Sequence, residues 1–312
     1  MTQRLDSPPL TPEPRAACAA QPLQHTPQRR AILRRLRSRP SIKGSVLALL
    51  ALLAVVLLAP WLAPQNPYDL AALDFLDGRL APGAQSASGA TYWLGTDDQG
   101  RDMLSAILYG LRISLVVGLS AVGLAALIGS LIGLFAAYRG GAIDALLMRV
   151  VDFILGFPSM LVALVLLAAI GRGVDKVILA IVLVQWANYA RIMRARALQE
   201  RKKEYVEAAR NLGFSAWRIM TRHLLPNCIA PVLVFATIQI ANAIALEATL
   251  SFLGVGVPIT EPSLGLLIAN GFSYLLSGEY WISMFPGLAL LALILAINLL
   301  GDRLRAALDP RS

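Results

Sequence analysis

Charge is scarce in this sequence: Asp, Glu, Lys and Arg make up 15% of 312 residues, against roughly 25% in an ordinary soluble domain. Apolar residues make up 57%. A core of this size cannot hide that much apolar surface, so lipid is its natural solvent. Histidine is nearly absent. His25 and His223 are the only two, which excludes a multi-histidine metal site. The two cysteines, Cys18 and Cys228, lie far apart without metal-ligand spacing, and a disulfide between them is not expected. No GxxxxGK[ST] run exists, so the chain does not cradle nucleotide phosphates itself. Lys43, in Ile42-Lys43-Gly44-Ser45, lacks the upstream glycine loop. An intramembrane serine protease would need a Ser–His pair within the bilayer; His25 falls in a polar tail and His223 in a basic loop. Coiled-coil heptads are also missing.

What is present is a set of long apolar runs. Six segments approach the roughly 20 residues that span a bilayer: 44–63, 112–137, 150–170, 176–193, 228–256 and 283–301. The fourth is interrupted by Gln185, Trp186, Asn188 and Tyr189. Polar residues in a span face protein or a water-filled path rather than lipid. The fold class expected is therefore all-α: a polytopic membrane protein of six transmembrane helices. Residues 1–42, rich in Pro, Gln, Ala and Arg, read as a disordered basic tail. A cleaved signal peptide fits poorly, because the apolar run starts only after residue 43.

Charge placement orients the chain. With the N-terminus inside, 23 of the 28 Lys and Arg fall in inside segments. That asymmetry puts both termini on the inside, in the cytoplasm. The organisation expected is a tail (1–42), a first span with an outside loop (43–111), a five-helix core (112–301) and a cytoplasmic tail (302–312).

Two loops exceed what connection requires, and long ordered loops carry function. The inside loop 194–226 reads as a helix-turn-helix. Good helix formers run from Glu204 to Leu212. Gly213 stops them in the manner of a left-handed cap. Ser215 caps a second helix from Ala216 to about Leu225, and Pro226 is expected to end it. Ala208 and Ala209 permit close approach, and Tyr205, Phe214 and Trp217 are large knobs beside them, a surface suited to a protein cleft. Glu207 offers a charge-assisted bond across the turn or to a partner. An amphipathic loop lying on the lipid surface with no partner is the competing reading.

Glu207-Ala208-Ala209, with Gly213 four residues on and Leu225-Pro226 after a fixed gap, resembles the EAA motif of ABC importer permeases. The resemblance implies that this loop docks onto an ATPase subunit, with Glu207, Ala208, Ala209, Gly213 and Pro226 carried over. His223 departs from the general motif. The form Arg222-His223-x-Leu225-Pro226-Asn227 is similar to the peptide and nickel branch. Trp93-Leu94-Gly95-Thr96-Asp97 with Gly100-Arg101-Asp102 resembles the outside-loop signature of the second permease in dipeptide, oligopeptide and nickel systems. Gly140-Gly141, Phe157-Pro158, Leu250-Ser251-Phe252-Leu253-Gly254 and Asn298-Leu299-Leu300-Gly301-Asp302 follow the same family. The resemblance implies a permease for short peptides, with nickel or glutathione as alternative cargo. Its implied partners are a homologous second permease, two ATPase subunits and an external solute-binding protein. The chain itself would be non-catalytic and hold no cofactor, ATP and Mg being bound by the ATPase partners.

The remaining candidates are polar residues within or beside spans. Gln239, Asn242 and Glu247 in the fifth segment are candidates for the translocation path, and Glu247 alternatively for pairing with the partner permease. Asp152 is expected to pair with Arg149, three residues earlier. Trp93, Asp97, Arg101 and Asp102 are read as an ordered outside turn able to meet a delivery protein, with Gly95 and Gly100 supplying backbone freedom. A secondary transporter driven by an ion gradient would instead use Glu247 and Asp152 as relays.

Overall fold

The computed structural model describes Ala54, Val56, residues 58–69, 73–86, Gly89 and 91–308. The basic tail expected over 1–42 and most of the first span expected over 44–63 lie outside the described residues, as do Asp309 and Pro310. A short helix α1 (Ala59–Leu62) marks the far end of that first segment.

The frame is four long helices: α2 (Met103–Arg139), α5 (Val174–Glu200), α8 (Leu225–Phe252) and α10 (Trp281–Leu308). All four are long and apolar enough to cross a membrane. Helix α2 has 37 residues, or ~55 Å at 1.5 Å per residue, far beyond a hydrocarbon core of about 30 Å. It begins nine residues before the expected 112, because the Asp102 carboxylate accepts from the Ser105 backbone N–H (2.9 Å) and caps it. It ends at Gly140, with φ at +67°.

The expected span 150–170 is not one straight helix. It is divided between α3 (Gly141–Leu155) and α4 (Ser159–Ile170), which meet at 87°. Pro158 has no N–H to continue the ladder, and it disfavours helical backbone at Phe157. Counted as one span, this bent pair makes a fifth among the described residues.

Pro226 also behaves differently from expectation. Helix α7 (Ala216–Arg218) passes through a π-helical stretch, Ile219–Leu224, directly into α8, with Pro226 in the first turn of α8. The wider turn accommodates the missing donor, and the Asn227 side-chain amide donates to the His223 carbonyl at 2.8 Å. At the other end, α10 runs past the expected 301 to Leu308. No Gly or Pro intervenes between Gly301 and Pro310.

The tightest packing is α2 along α5. Gly129 and Gly133 lie on α2, one helical turn apart. A Cβ on Gly129 would fall 2.2 Å from the Trp186 carbonyl oxygen, and one on Gly133 2.2 Å from that of Ala190. Small residues that let backbones touch are the usual means of helix association in lipid. Helix α8 packs on α2, α5 and α10, and α9 (Leu264–Phe272) packs against α8 and α10.

Candidate functional site

The loop read as inside forms a braced unit. Helix α6 (Glu204–Asn211) buries Val206 and Ala209 and leaves Glu204, Glu207 and Ala208 exposed. Gly213 has φ at +72° with open space around it. The Phe214 N–H donates to the Ala209 carbonyl (3.2 Å), closing the end of α6. The Ser215 hydroxyl accepts from the Arg218 N–H at 3.4 Å, so the second helix starts where the sequence indicates.

A polar clasp then ties three elements. The Tyr205 hydroxyl donates to Glu200 Oε1 at the end of α5 (2.7 Å) and accepts from Asn227 Nδ2 at the start of α8 (3.1 Å). Lys203 Nζ reaches the same Glu200 oxygen at 2.8 Å. Burial first, then the hydrogen bond to Glu200, push the Tyr205 phenol up to about 12. Of the three expected knobs, Trp217 is exposed and Tyr205 partly so. Phe214 is instead enclosed, with the Arg218 guanidinium 4.4 Å from its ring centroid and the His223 ring stacked at 5.9 Å. Leu212, which sequence reasoning passed over, is 72% exposed and joins Trp217 on the open face. The Glu207 carboxylate has no partner among the described residues.

Ion pairs brace the same side of the frame. Arg194 holds Asp144 with both guanidinium ends (2.5 and 2.6 Å). Arg201 Nη1 donates to the carbonyls of Ala137 (2.6 Å) and Tyr138 (3.1 Å) at the end of α2. Asp152 pairs with Arg191 on α5, not with Arg149 as expected. Helix α3 packs against α5, which brings that more distant arginine within reach.

A groove of about 420 Å³ opens between α4, α5 and α8. Its polar lining is Ser159, Gln185, Asn188, Gln239, Asn242 and Thr249; its apolar lining is Val184, Ala245 and Leu246. Gln239 and Asn242 were singled out from the sequence, and they are joined by an Asn242 Nδ2 to Gln239 Oε1 bond of 2.7 Å. Gln185 and Asn188 were visible only as interruptions of an apolar run.

Glu247 does not line this groove. It is fully buried, and three serine hydroxyls donate to it: Ser251 (2.8 Å) and Ser263 (2.9 Å) to Oε1, Ser114 (3.1 Å) to Oε2. It thereby ties α2, α8 and the start of α9 together. Ser114 is 133 residues away in sequence, so this cluster had no local signature.

In the loop read as outside, Arg101 is fully buried and pairs with Asp97 through Nε at 2.7 Å. Asp97 Oδ1 also accepts the N–H groups of Gln99 and Arg101, each at 2.9 Å. Arg101 Nη1 donates to the Ile259 carbonyl (3.3 Å), and the Trp281 indole N–H to that of Thr96 (3.2 Å). These bonds fasten the turn to the region after α8 and to α10. Gly95 and Gly100 adopt φ near +78° and +77°. A Cβ on Gly100 would meet the Asp74 carbonyl oxygen at 2.2 Å. Burial, and then the neighbouring Asp97 charge, raise the Asp98 carboxyl above its ordinary range. Trp93 stands 69% exposed at the edge of this turn.

Residues 129–312 match the family described as binding-protein-dependent transport system inner membrane component. The di/tripeptide transport system permease protein of Pseudomonas aeruginosa (strain UCBPP-PA14) is 39% identical over 269 residues, covering 86% of this chain and 87% of that one. The dipeptide transport system permease protein of Haemophilus influenzae is 37% identical over 272 residues, covering 86% and 91%. Among solved structures, a chain of the MetNI methionine ABC transporter in inward-facing conformations superposes with a TM-score of 0.53. That match covers 66% of this chain and 97% of that one at 18% identity, a likeness of fold.

Proposed function

The chain belongs to the family of binding-protein-dependent transport system inner membrane components, and from that membership we propose that it forms half of the translocation path of an ATP-driven importer for short peptides. It is a multi-pass inner-membrane permease subunit. The observation that carries the peptide reading is relatedness: permeases named for dipeptides and di/tripeptides align along nearly nine-tenths of the chain. The polar groove between α4, α5 and α8 is a suitable half-path.

The remaining parts follow from the braced inside loop. ATP hydrolysis would take place in two ATPase subunits, one of which docks on the face bearing Glu207, Ala208, Leu212 and Trp217. The Tyr205–Glu200–Asn227 clasp makes α6 and the foot of α8 move as one lever. Because α7 runs without interruption into α8, which lines the groove, a push on the loop is transmitted directly to the path. Both termini lie in the cytoplasm, a homologous permease supplies the other half, and an external solute-binding protein delivers cargo to the outside turn around Trp93.

The test is purification of the tagged chain in mild detergent, followed by mass spectrometry. Recovery of a second permease with two ATPases, and a solute-binding protein that retains a di- or tripeptide, is the expected result. A folded chain recovered alone, or a binding protein loaded with nickel, would overturn the respective part of the reading.

A further inference from the structure

The polar groove has a chemical character that bears on what passes through it. Among the described residues, no Asp, Glu, His, Lys, Arg or Cys lines it. Its polar groups are four carboxamides and two hydroxyls. Three of these are already engaged within the chain. The Gln239 carbonyl accepts from Asn242, and the Thr249 hydroxyl donates to the Ala245 carbonyl at 2.7 Å. Gln185 differs from them. It is 5% exposed, and its Oε1 is buried without a hydrogen-bond partner. A buried amide acceptor left unpaired is unfavourable, and such a group in a native structure calls for an explanation. It sits in the wall of a cavity whose volume is within the range of small-ligand sites, about 300–1,000 Å³.

We infer that Gln185 is a substrate-gripping residue of the path, its enclosed side-chain carbonyl turning into the groove to take an N–H of the passing peptide, and that the groove accepts amide-bearing zwitterions in preference to bare divalent cations. This rests on the reading of the groove as half of a peptide path.

Three physical points support the inference. A carboxamide lining offers donors and acceptors in the same pattern as a peptide backbone, so it can serve any short peptide whatever its side chains. A nickel ion stripped of water would need imidazole, thiolate or carboxylate ligands, and the lining supplies none. A neutral wall also leaves the opposite charges of a peptide's two ends to offset each other, so neither end is held so firmly that passage stops.

The test is equilibrium binding of radiolabelled dialanine to the complete purified importer without its solute-binding protein, alongside ATP-dependent dialanine uptake by the reconstituted complex. Gln185→Met removes the acceptor at similar volume and should weaken dialanine binding about three- to tenfold, the value of one hydrogen bond. Asn188→Leu, one turn along the same wall, gives an independent second reading and should also weaken binding. Nickel should show no saturable binding to the wild-type complex that dialanine displaces. Unchanged dialanine affinity in both Gln185→Met and Asn188→Leu, in a wild type that does import dialanine, overturns the inference alone. A wild type that neither binds nor imports dialanine overturns the peptide reading beneath it.

Discussion

Gly133→Ala should unlock the α2–α5 seam. A Cβ at this position would lie 2.2 Å from the Ala190 carbonyl oxygen, 2.9 Å from its carbon and 3.0 Å from its Cα, all backbone atoms that no rotamer change can move aside. Relief requires the two helices to separate locally by about 1 Å, and overpacking of this kind costs about 1–3 kcal/mol. Loss of close contact along the rest of the seam adds to that cost, because in lipid packing is the principal attraction between helices. The assay is thermal denaturation of the detergent-purified protein followed by fluorescence-detected size exclusion. A fall of roughly 5 °C is expected at about 2–4 °C per kcal/mol. Gly123→Ala, on the same helix with nothing within 4 Å of the new Cβ, is the control. It should be neutral or slightly stabilising, since Ala is the better helix former by about 1 kcal/mol. If Gly133→Ala melts with wild type, or Gly123→Ala falls as far, the close-packing argument is wrong.

Three further outcomes are expected. Gly213→Asp forces a side chain onto backbone at φ +72°, and Glu207→Lys reverses an exposed, unpaired charge; each should abolish peptide uptake while membrane insertion, measured by fractionation, is retained. Asp98→Asn should raise the melting temperature at pH 7. The carboxyl's folded pKa is raised by burial, so its charge penalises the fold above that pKa, and the penalty disappears below the ordinary aspartate range. The advantage of the variant should therefore shrink as pH falls towards 4, and a constant advantage at every pH would count against this cause. Glu247→Ala leaves three buried serine hydroxyls without their acceptor, at about 1–3 kcal/mol for each that stays unpaired. Its melting temperature should drop well below that of Glu247→Gln, which keeps one acceptor oxygen; equal melting would contradict the serine-clasp assignment.

Much of the frame was legible in the sequence because lipid imposes long apolar runs, and much of the inside loop because Gly213 and Ser215 act through their own backbone. Where reading failed, the deciding contact was distant or the rule was averaged. A hydropathy window sees residues 150–170 as continuous and is blind to the 87° bend that Pro158 imposes. Pro226 was read as a stop because proline usually breaks helices; the π turn before it and the Asn227 side chain bridge the break instead. Arg101 was read as part of an ordered turn, but nothing local indicated that α10 and the segment after α8 fold over that turn and bury it. The seam at Gly129 and Gly133 was open to reading as a small-xxx-small pair, and only the structure drew notice to it. The groove had a fainter trace. Gln185 and Asn188 stood out as polar residues in a span, without indicating that Gln239 and Asn242 would face them.

The account turns on work arriving from outside the chain, through the inside loop, to a peptide path. The direct measurement is uptake of radiolabelled dialanine by proteoliposomes holding the purified complex and its solute-binding protein, with ATP or an ion gradient supplied separately. Uptake that requires ATP on the loop side, is lost with a non-hydrolysable analogue and is indifferent to the gradient is the predicted result. Uptake driven by a proton or sodium gradient without ATP would contradict the account.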